Sequence, residues 1–311
     1  MEGSPSEEIM QKRCRVVNCA VPKSRQDRLR IAAIDFLNPA PLMWNFEHEP
    51  EKSRLAEHYA IERMMPSVCV ARLASGDAEI GLVPIVACAT VPGLAIIPGC
   101  TIASLGRVRS LLLVVRDGVA SSEIQTVAAD TSSRATLSYA RVLFKKWWNQ
   151  ATRFVNHAPN LDAMLSTCDA ALLIGDPALL ALEDREAREK RTGEKLRYLD
   201  LAEEWKRMTG LPWISAVWAV RQNGLKGWSE PQICEDFMRS RDAGLANLDA
   251  LVEEWQGRIA VPVATIQQYL FTNIHYQLDE ECLEGMRAFF RYATEAGVLP
   301  AVGELRFLRL K

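Results

Sequence analysis

Apolar positions along this chain switch between two periods. From Leu29 onward, short β-branched runs alternate with stretches whose apolar residues recur at spacings of three and four, the marks of strands and of helices covering a core. The pattern predicts a strand over 29–35, a helix after Ala40, a strand near Ser67 to Val70 and another over Gly81 to Ile85. Ser110 to Val115 reads as a fully buried strand, with Gly106 before it and the turn signal Asp117-Gly118 after it. A compact block follows: strand Thr126 to Ala129, loop 130–133, helix 134–149, strand Arg153 to Val155, helix 160–167 and strand Ala170 to Ile174. Beyond a charged helix at about 178–192 come Asp200 to Met208 and a strand, Trp213 to Arg221, of alternating bulky and small residues. The rest is helical, over Trp228 to Glu254, Pro262 to Leu270 and Asp279 to Ala296. Alternation of this kind implies an α/β fold with parallel sheets flanked by helices.

A middle block entered near Ser110 to Val115 and left near Trp213 to Arg221 implies two lobes joined by two crossings, with a cleft between them. The expected division is 29–112 plus 214–311 for a discontinuous first lobe and 113–213 for the second, and the length of 311 residues suits two cores. Residues 1–28 mix Ser, Glu, Lys, Arg and Cys without periodicity and read as a flexible extension or a start assigned too early. No internal repeat, Walker loop or GxGxxG is present.

Composition narrows the function classes. The formal charge of −2, with basic residues scattered, gives no electrostatic case for nucleic acid. Cysteines at 14, 19, 69, 88, 100, 168, 234 and 282 form no CxxC pair and read as free thiols. His48, His58, His157 and His275 lie in dissimilar contexts, so neither a metal site nor a catalytic histidine is expected. The most hydrophobic stretch, Gly81 to Pro98, is short for a bilayer span and is broken by Pro84, Pro92 and Gly93. The charged amino terminus lacks the apolar core of a secretion signal, so no membrane association and a cytoplasmic location are expected.

Three polar loops each trail an apolar strand and precede a helix: Asp35 to Leu42 with Asn38 inside it, Asp130 to Arg134, and Leu173 to Pro177. Thr131, Ser132 and Ser133 suit a helix N-cap, and the same unpaired amides would attract a carboxylate. Asp176 followed by Pro177 reads as a cap with proline at the first helical position, while Gly175 would let a ligand approach the backbone. Asn38 is a turn residue before Pro39 or a ligand contact. Ser110 opens a buried strand, where its hydroxyl has to find a partner. Trp147, Trp148, Trp205, Trp213 and Trp218 read as packing anchors.

Taken with Gly81-Leu82-Val83-Pro84, Gly106 to Ser110, and Asp200 to Trp205 followed by Thr209-Gly210 and Trp213 to Trp218, these loops resemble the chorismate dehydratases of the futalosine route to menaquinone. The likeness runs over residues 29 to 309. It implies a two-lobed fold of the periplasmic-binding-protein type II kind, and conversion of chorismate to 3-[(1-carboxyvinyl)oxy]benzoate without a cofactor. It also implies that Asn38 and Ser110 line the active site and that Thr131 to Ser133 and Gly175-Asp176 face the cleft. Some relatives carry an acidic residue shortly after the strand at Gly81 to Ile85, where this chain has Ala87-Cys88. The sister enzyme, 1,4-dihydroxy-6-naphthoate synthase, shares the fold but has a histidine near the Gly175 position. A non-catalytic small-anion binding protein is the reading from another class.

Overall fold

In a computed structural model, the structure describes residues 28–129, 133–225 and 227–311. The extension 1–27 and the loop residues Thr131 and Ser132 lie outside the described residues. Two five-stranded sheets organise the chain. The first contains β1 (Leu29–Ile34), β2 (Tyr59–Met64), β3 (Ile80–Pro84), β4 (Leu94–Ser104) and β10 (Trp213–Arg221) in the order β2-β1-β3-β10-β4. The second contains β5 (Leu111–Arg116), β6 (Thr126–Ala129), β7 (Arg153–Asn156), β8 (Ala170–Ile174) and β9 (Leu196–Asp200) in the order β7-β6-β8-β5-β9. Leu111 and Leu112 therefore belong to the second sheet and Trp213 to the first.

The sheets are mixed rather than parallel. β1 runs parallel to β2 and β3, and β6 to β7 and β8, as the alternation predicts. β10 is antiparallel to β3 and β4, and β5 to β8 and β9, because each returns from the other half of the molecule instead of through a local helical crossover. Ser67 to Val70 falls in the helix Pro66–Ser75, not in a strand, with Pro66 in the helix's first turn. The charged helix ends at Asp184 and restarts as Arg185–Thr192, and the long C-terminal helix breaks at Asn247.

Two segments cross between the sheets, one from β4 to β5 and one from β9 to β10. Asp200 ties them together. Its Oδ1 caps the helix Leu201–Thr209 through the amides of Ala202 (3.0 Å) and Glu203 (3.2 Å). Its Oδ2 accepts from the amides of Val108 (3.0 Å) and Arg109 (2.6 Å) on the other crossing. Burial pushes this carboxyl up, against the pull of those amides.

Aromatic packing locks the crossings from behind. Tyr139, on the helix Arg134–Lys146, stacks between Trp213 at 3.7 Å and Phe289 at 3.9 Å, and its hydroxyl accepts from the amide of Ile214 at 3.2 Å. Each such ring pair adds about 0.5–1.5 kcal/mol beyond area burial. Trp205, Trp213 and Trp218 are fully buried anchors, as expected. Trp147 is not, being 43% exposed with its indole donating to Glu204 at 3.2 Å.

Candidate active site

The parallel strands set the location. The ends of β1, β3, β6 and β8 lead towards one gap between the sheets, the usual place for ligands in open α/β folds. The cleft there is lined by Asn38 after β1, Pro84 at the end of β3, Ser133 after β6, and Gly175 and Asp176 after β8. Ser110, at the start of the antiparallel β5, enters the same space. Five of the seven residues singled out from the sequence are thus brought together, Thr131 and Ser132 being outside the described set.

Most of the remaining wall is apolar, with Ile34, Phe36, Ile102, Leu179 and Ile274 among it. No lysine or arginine lines the cleft among the described residues. An anion held here would be bound by amides, hydroxyls and helix starts rather than by side-chain cations. The cleft is narrow, with a volume of about 100 Å³, below the ~300–1,000 Å³ of ordinary ligand pockets.

Asn38 sits in a turn where the amide of Ala40 donates to Leu37 O at 3.0 Å, leading into the 3₁₀ turn Ala40–Met43. Its Oδ1 is buried without a partner. An orphaned buried acceptor costs about 1–3 kcal/mol, and it marks a place where a donor is expected. The helix Glu230–Ala246 supports this turn from below, with Gly244 so close that a Cβ would stand 2.0 Å from Pro41 O.

Ser110 is buried and its Oγ lies 2.9 Å from the hydroxyl of Tyr269. Its backbone is set by Arg109, a non-glycine residue at φ 67, held in that conformation by Asp200. Burial pushes the Tyr269 hydroxyl far above its ordinary range; the Ser110 bond pulls it down, while Asp176 and Asp200 add to the rise.

The two helix-start loops depart from the expected capping. Ser133 occupies the N-cap position, but its Oγ pairs with Thr136 Oγ1 at 2.9 Å rather than with a backbone amide. In the other loop the cap is Gly175, at φ 70 and ψ −140, with Asp176 as the first helical residue and Pro177 behind it. Asp176 does not cap because glycine alone tolerates that backbone conformation, and the turn it makes places the carboxyl inside the helix start. Burial pushes the Asp176 carboxyl up.

Tyr269, Thr136 and Ser215 also line the cleft and were not singled out from the sequence. Tyr269 was hidden because Pro262 to Leu270 reads as one plain helix. Ala87 and Cys88 are not part of the cleft wall; Cys88 borders a separate groove with Val302 to Arg306. A larger groove of about 800 Å³ is lined by Arg107, Arg188 and Glu194 among others. Its arginines are already paired, Arg188 with Asp162 and Glu194 at 2.7 Å each and Arg107 with Glu203 at 2.8 Å, so it offers little free charge.

One group with metal-ligand chemistry meets among the described residues: His275, Asp279 and Cys282, their ligand atoms within 4.8 Å of one another. Sequence spacing did not reveal it. His275 Nε2 contacts Asp279 Oδ2 at 3.0 Å, and Asp279 Oδ1 accepts from the amide of Cys282 at 2.9 Å as a helix cap, so these atoms are engaged with one another. The described cysteines are free thiols, and burial pushes Cys69, Cys88, Cys100 and Cys282 up to about 12. No helix among the described residues is long and apolar enough to cross a membrane.

A family model described as menaquinone biosynthesis matches residues 29–295. The chain belongs to the menaquinone biosynthesis family. The chain is 30% identical over 205 residues to a chorismate dehydratase from Thermus thermophilus, covering 63% of this chain and 72% of that one. Solved structures share the architecture of this family member. Protein AF1704 from Archaeoglobus fulgidus aligns with a TM-score of 0.65 at 14% identity, over 88% of this chain and 100% of its own. The periplasmic aliphatic sulphonate binding protein SsuA from Escherichia coli aligns with a TM-score of 0.62 at 13% identity, over 92% and 94%. A Candida albicans protein described as having the generic periplasmic binding protein fold aligns with a TM-score of 0.59 at 14% identity, over 91% and 98%. The two-lobed periplasmic-binding-protein-like fold is therefore the fold of this family member.

Proposed function

We propose that the protein is a chorismate dehydratase, a carbon–oxygen lyase that removes water from chorismate to give 3-[(1-carboxyvinyl)oxy]benzoate for menaquinone. The observation that carries this reading is the convergence of Asn38, Ser110, Ser133 and Gly175-Asp176 on one apolar-walled cleft. The relative named chorismate dehydratase supports it.

Chorismate carries two carboxylates. The ring carbon bearing the enolpyruvyl ether is conjugated through a double bond to the ring carboxylate, so its hydrogen is acidic and its removal gives a dienolate. Loss of the adjacent hydroxyl then makes the ring aromatic. Electrons move only within the substrate, and the protein has to position groups and stabilise charge.

Ser133 and the start of the helix Arg134–Lys146 hold one carboxylate by a hydroxyl and unpaired amides; Thr131 and Ser132, outside the described residues, are assigned to the same carboxylate by the family resemblance alone. Asn38 and Ser110 bond the developing negative charge and the departing hydroxyl, with the orphaned Oδ1 of Asn38 as an acceptor for that hydroxyl. Asp176, on the same wall, belongs to the substrate-binding set. Neither Asn38 nor Ser110 is a good base, so the substrate's own enolpyruvyl carboxylate takes the ring proton inside the closed cleft. It returns that proton to the leaving hydroxyl, and one water departs.

No histidine lines the cleft among the described residues, and the naphthoate synthase pattern has one near the Gly175 position. Both points favour the dehydratase over its pathway sister. Incubating the purified protein with chorismate and following the aromatic absorbance tests the proposal. Conversion is expected; chorismate bound but recovered unchanged would make the protein a receptor instead.

A further inference from the structure

Tyr269 stands where the helix Val263–Gln268 passes into a single π turn, Tyr269–Asn273. Single π turns are rare and are frequently found at functional sites. This one serves the crossing segment twice. It sets the Tyr269 hydroxyl 2.9 Å from Ser110 Oγ, and it lets Asn273 Nδ2 donate to the carbonyl of Arg107 at 3.1 Å.

A serine hydroxyl has one proton and two lone pairs, and its rotor turns to suit its partners. A tyrosine that donates to it fills a lone pair and leaves the serine proton free for another acceptor. Both residues line the cleft, so that acceptor would be a ligand oxygen. We infer that Tyr269 is a positioning residue for Ser110: it donates to Ser110 Oγ, fixes the hydroxyl rotor and turns the serine proton towards the substrate oxygen on which charge develops. The inference rests on the dehydratase reading. Burial keeps the phenol protonated across the working pH range, as a donor has to be. The chain of two hydroxyls also polarises the outer one, which makes it a stronger donor than an isolated serine.

The test is a double-mutant cycle on chorismate turnover with Tyr269→Phe, Ser110→Ala and the double variant. Phenylalanine keeps the buried ring and removes only the hydroxyl. Tyr269→Phe is expected to lower kcat about tenfold with KM within about twofold, and to have no further effect once Ser110 is alanine. Equal losses in both backgrounds would mean that Tyr269 acts structurally and would overturn the inference alone. Absence of turnover in the wild-type protein would overturn the dehydratase reading and the inference with it. If Tyr269→Phe does not fold, 3-fluorotyrosine at position 269 replaces it. That better donor is expected to raise kcat, and an unchanged or lower kcat would contradict the positioning role.

Discussion

The amide of Gly175 donates to the carbonyl oxygen of Ser110 across 2.8 Å. This bond extends the pairing of β8 with β5 by one step beyond the strands, so the loop that begins the helix Asp176–Glu183 and the residue that opens β5 hold each other in register. Two polar loops far apart in sequence are thereby fixed as one wall of the cleft.

Gly175→Ala should damage that wall through the backbone alone. A Cβ at this position would meet nothing within 4 Å, but φ is 70 and ψ −140, where an L side chain is strained. We expect a loss of about 1–3 kcal/mol in a denaturant titration, together with a lower kcat as the bond to Ser110 is disturbed. Unchanged stability would show that the loop adopts another conformation.

Gly244→Ala tests the support of Asn38. The added methyl would have to push the Pro41 carbonyl away from 2.0 Å, and Pro41 belongs to the turn that follows Asn38. Overpacking of this kind costs about 1–3 kcal/mol. The expected result is a lower unfolding midpoint and a fall in kcat/KM, although Gly244 is not part of the cleft wall.

Ser133→Ala should act on binding. Its hydroxyl pairs with Thr136 Oγ1 and is proposed to contact a substrate carboxylate. Losing one such hydrogen bond is worth about 1 kcal/mol, so KM should rise roughly fivefold while kcat changes little. A selective fall in kcat would move Ser133 from holding substrate to the chemistry.

Acid stability follows from several depressed carboxyls, Glu79, Asp169, Glu194 and Asp279 among them. Burial pushes Glu79 up, but hydrogen bonds from the Arg30 side chain and amide outweigh it and leave the group below 4.5. Asp169 is likewise raised by burial and lowered further by the Thr126 hydroxyl and the amides of Thr126 and Gln125, ending below 3.8. A folded pKa below the unfolded one gives stability that is complete above the unfolded value and is lost as pH falls through the folded value. Urea midpoints should therefore drop between about pH 5 and pH 3, and Glu79→Gln with Asp169→Asn should flatten that limb. Asp176 and Asp200, both pushed up by burial, work in the opposite sense.

Asn38, Gly175 and Ser110 were legible in the sequence because each sits where an apolar β-branched run meets small polar residues, a boundary that one-dimensional patterning displays well. β4 was not, since Pro98 and Gly99, residue types that ordinarily interrupt a strand, fall inside it. In the structure β4 and β10 pair on both sides of them with register shifts, and bulged strands tolerate such residues. The reversed direction of β5 and β10 was hidden for another reason: strand direction depends on which half the chain returns from, which no local period encodes. Tyr269 was missed because only the first two residues of the π turn fall inside the helical pattern Pro262 to Leu270, too few for its wider i→i+5 period to show.

The most direct test of the central claim is turnover of chorismate by the wild-type protein, Asn38→Ala and Ser110→Ala, measured side by side with folding checked by thermal unfolding. The account predicts conversion to 3-[(1-carboxyvinyl)oxy]benzoate by the wild type and a fall in kcat of about 10²–10³ in each folded variant, the usual loss on removing a group that stabilises developing charge. Wild-type rates in both variants would contradict it, because the cleft where these two residues meet would then not be where water leaves the ring.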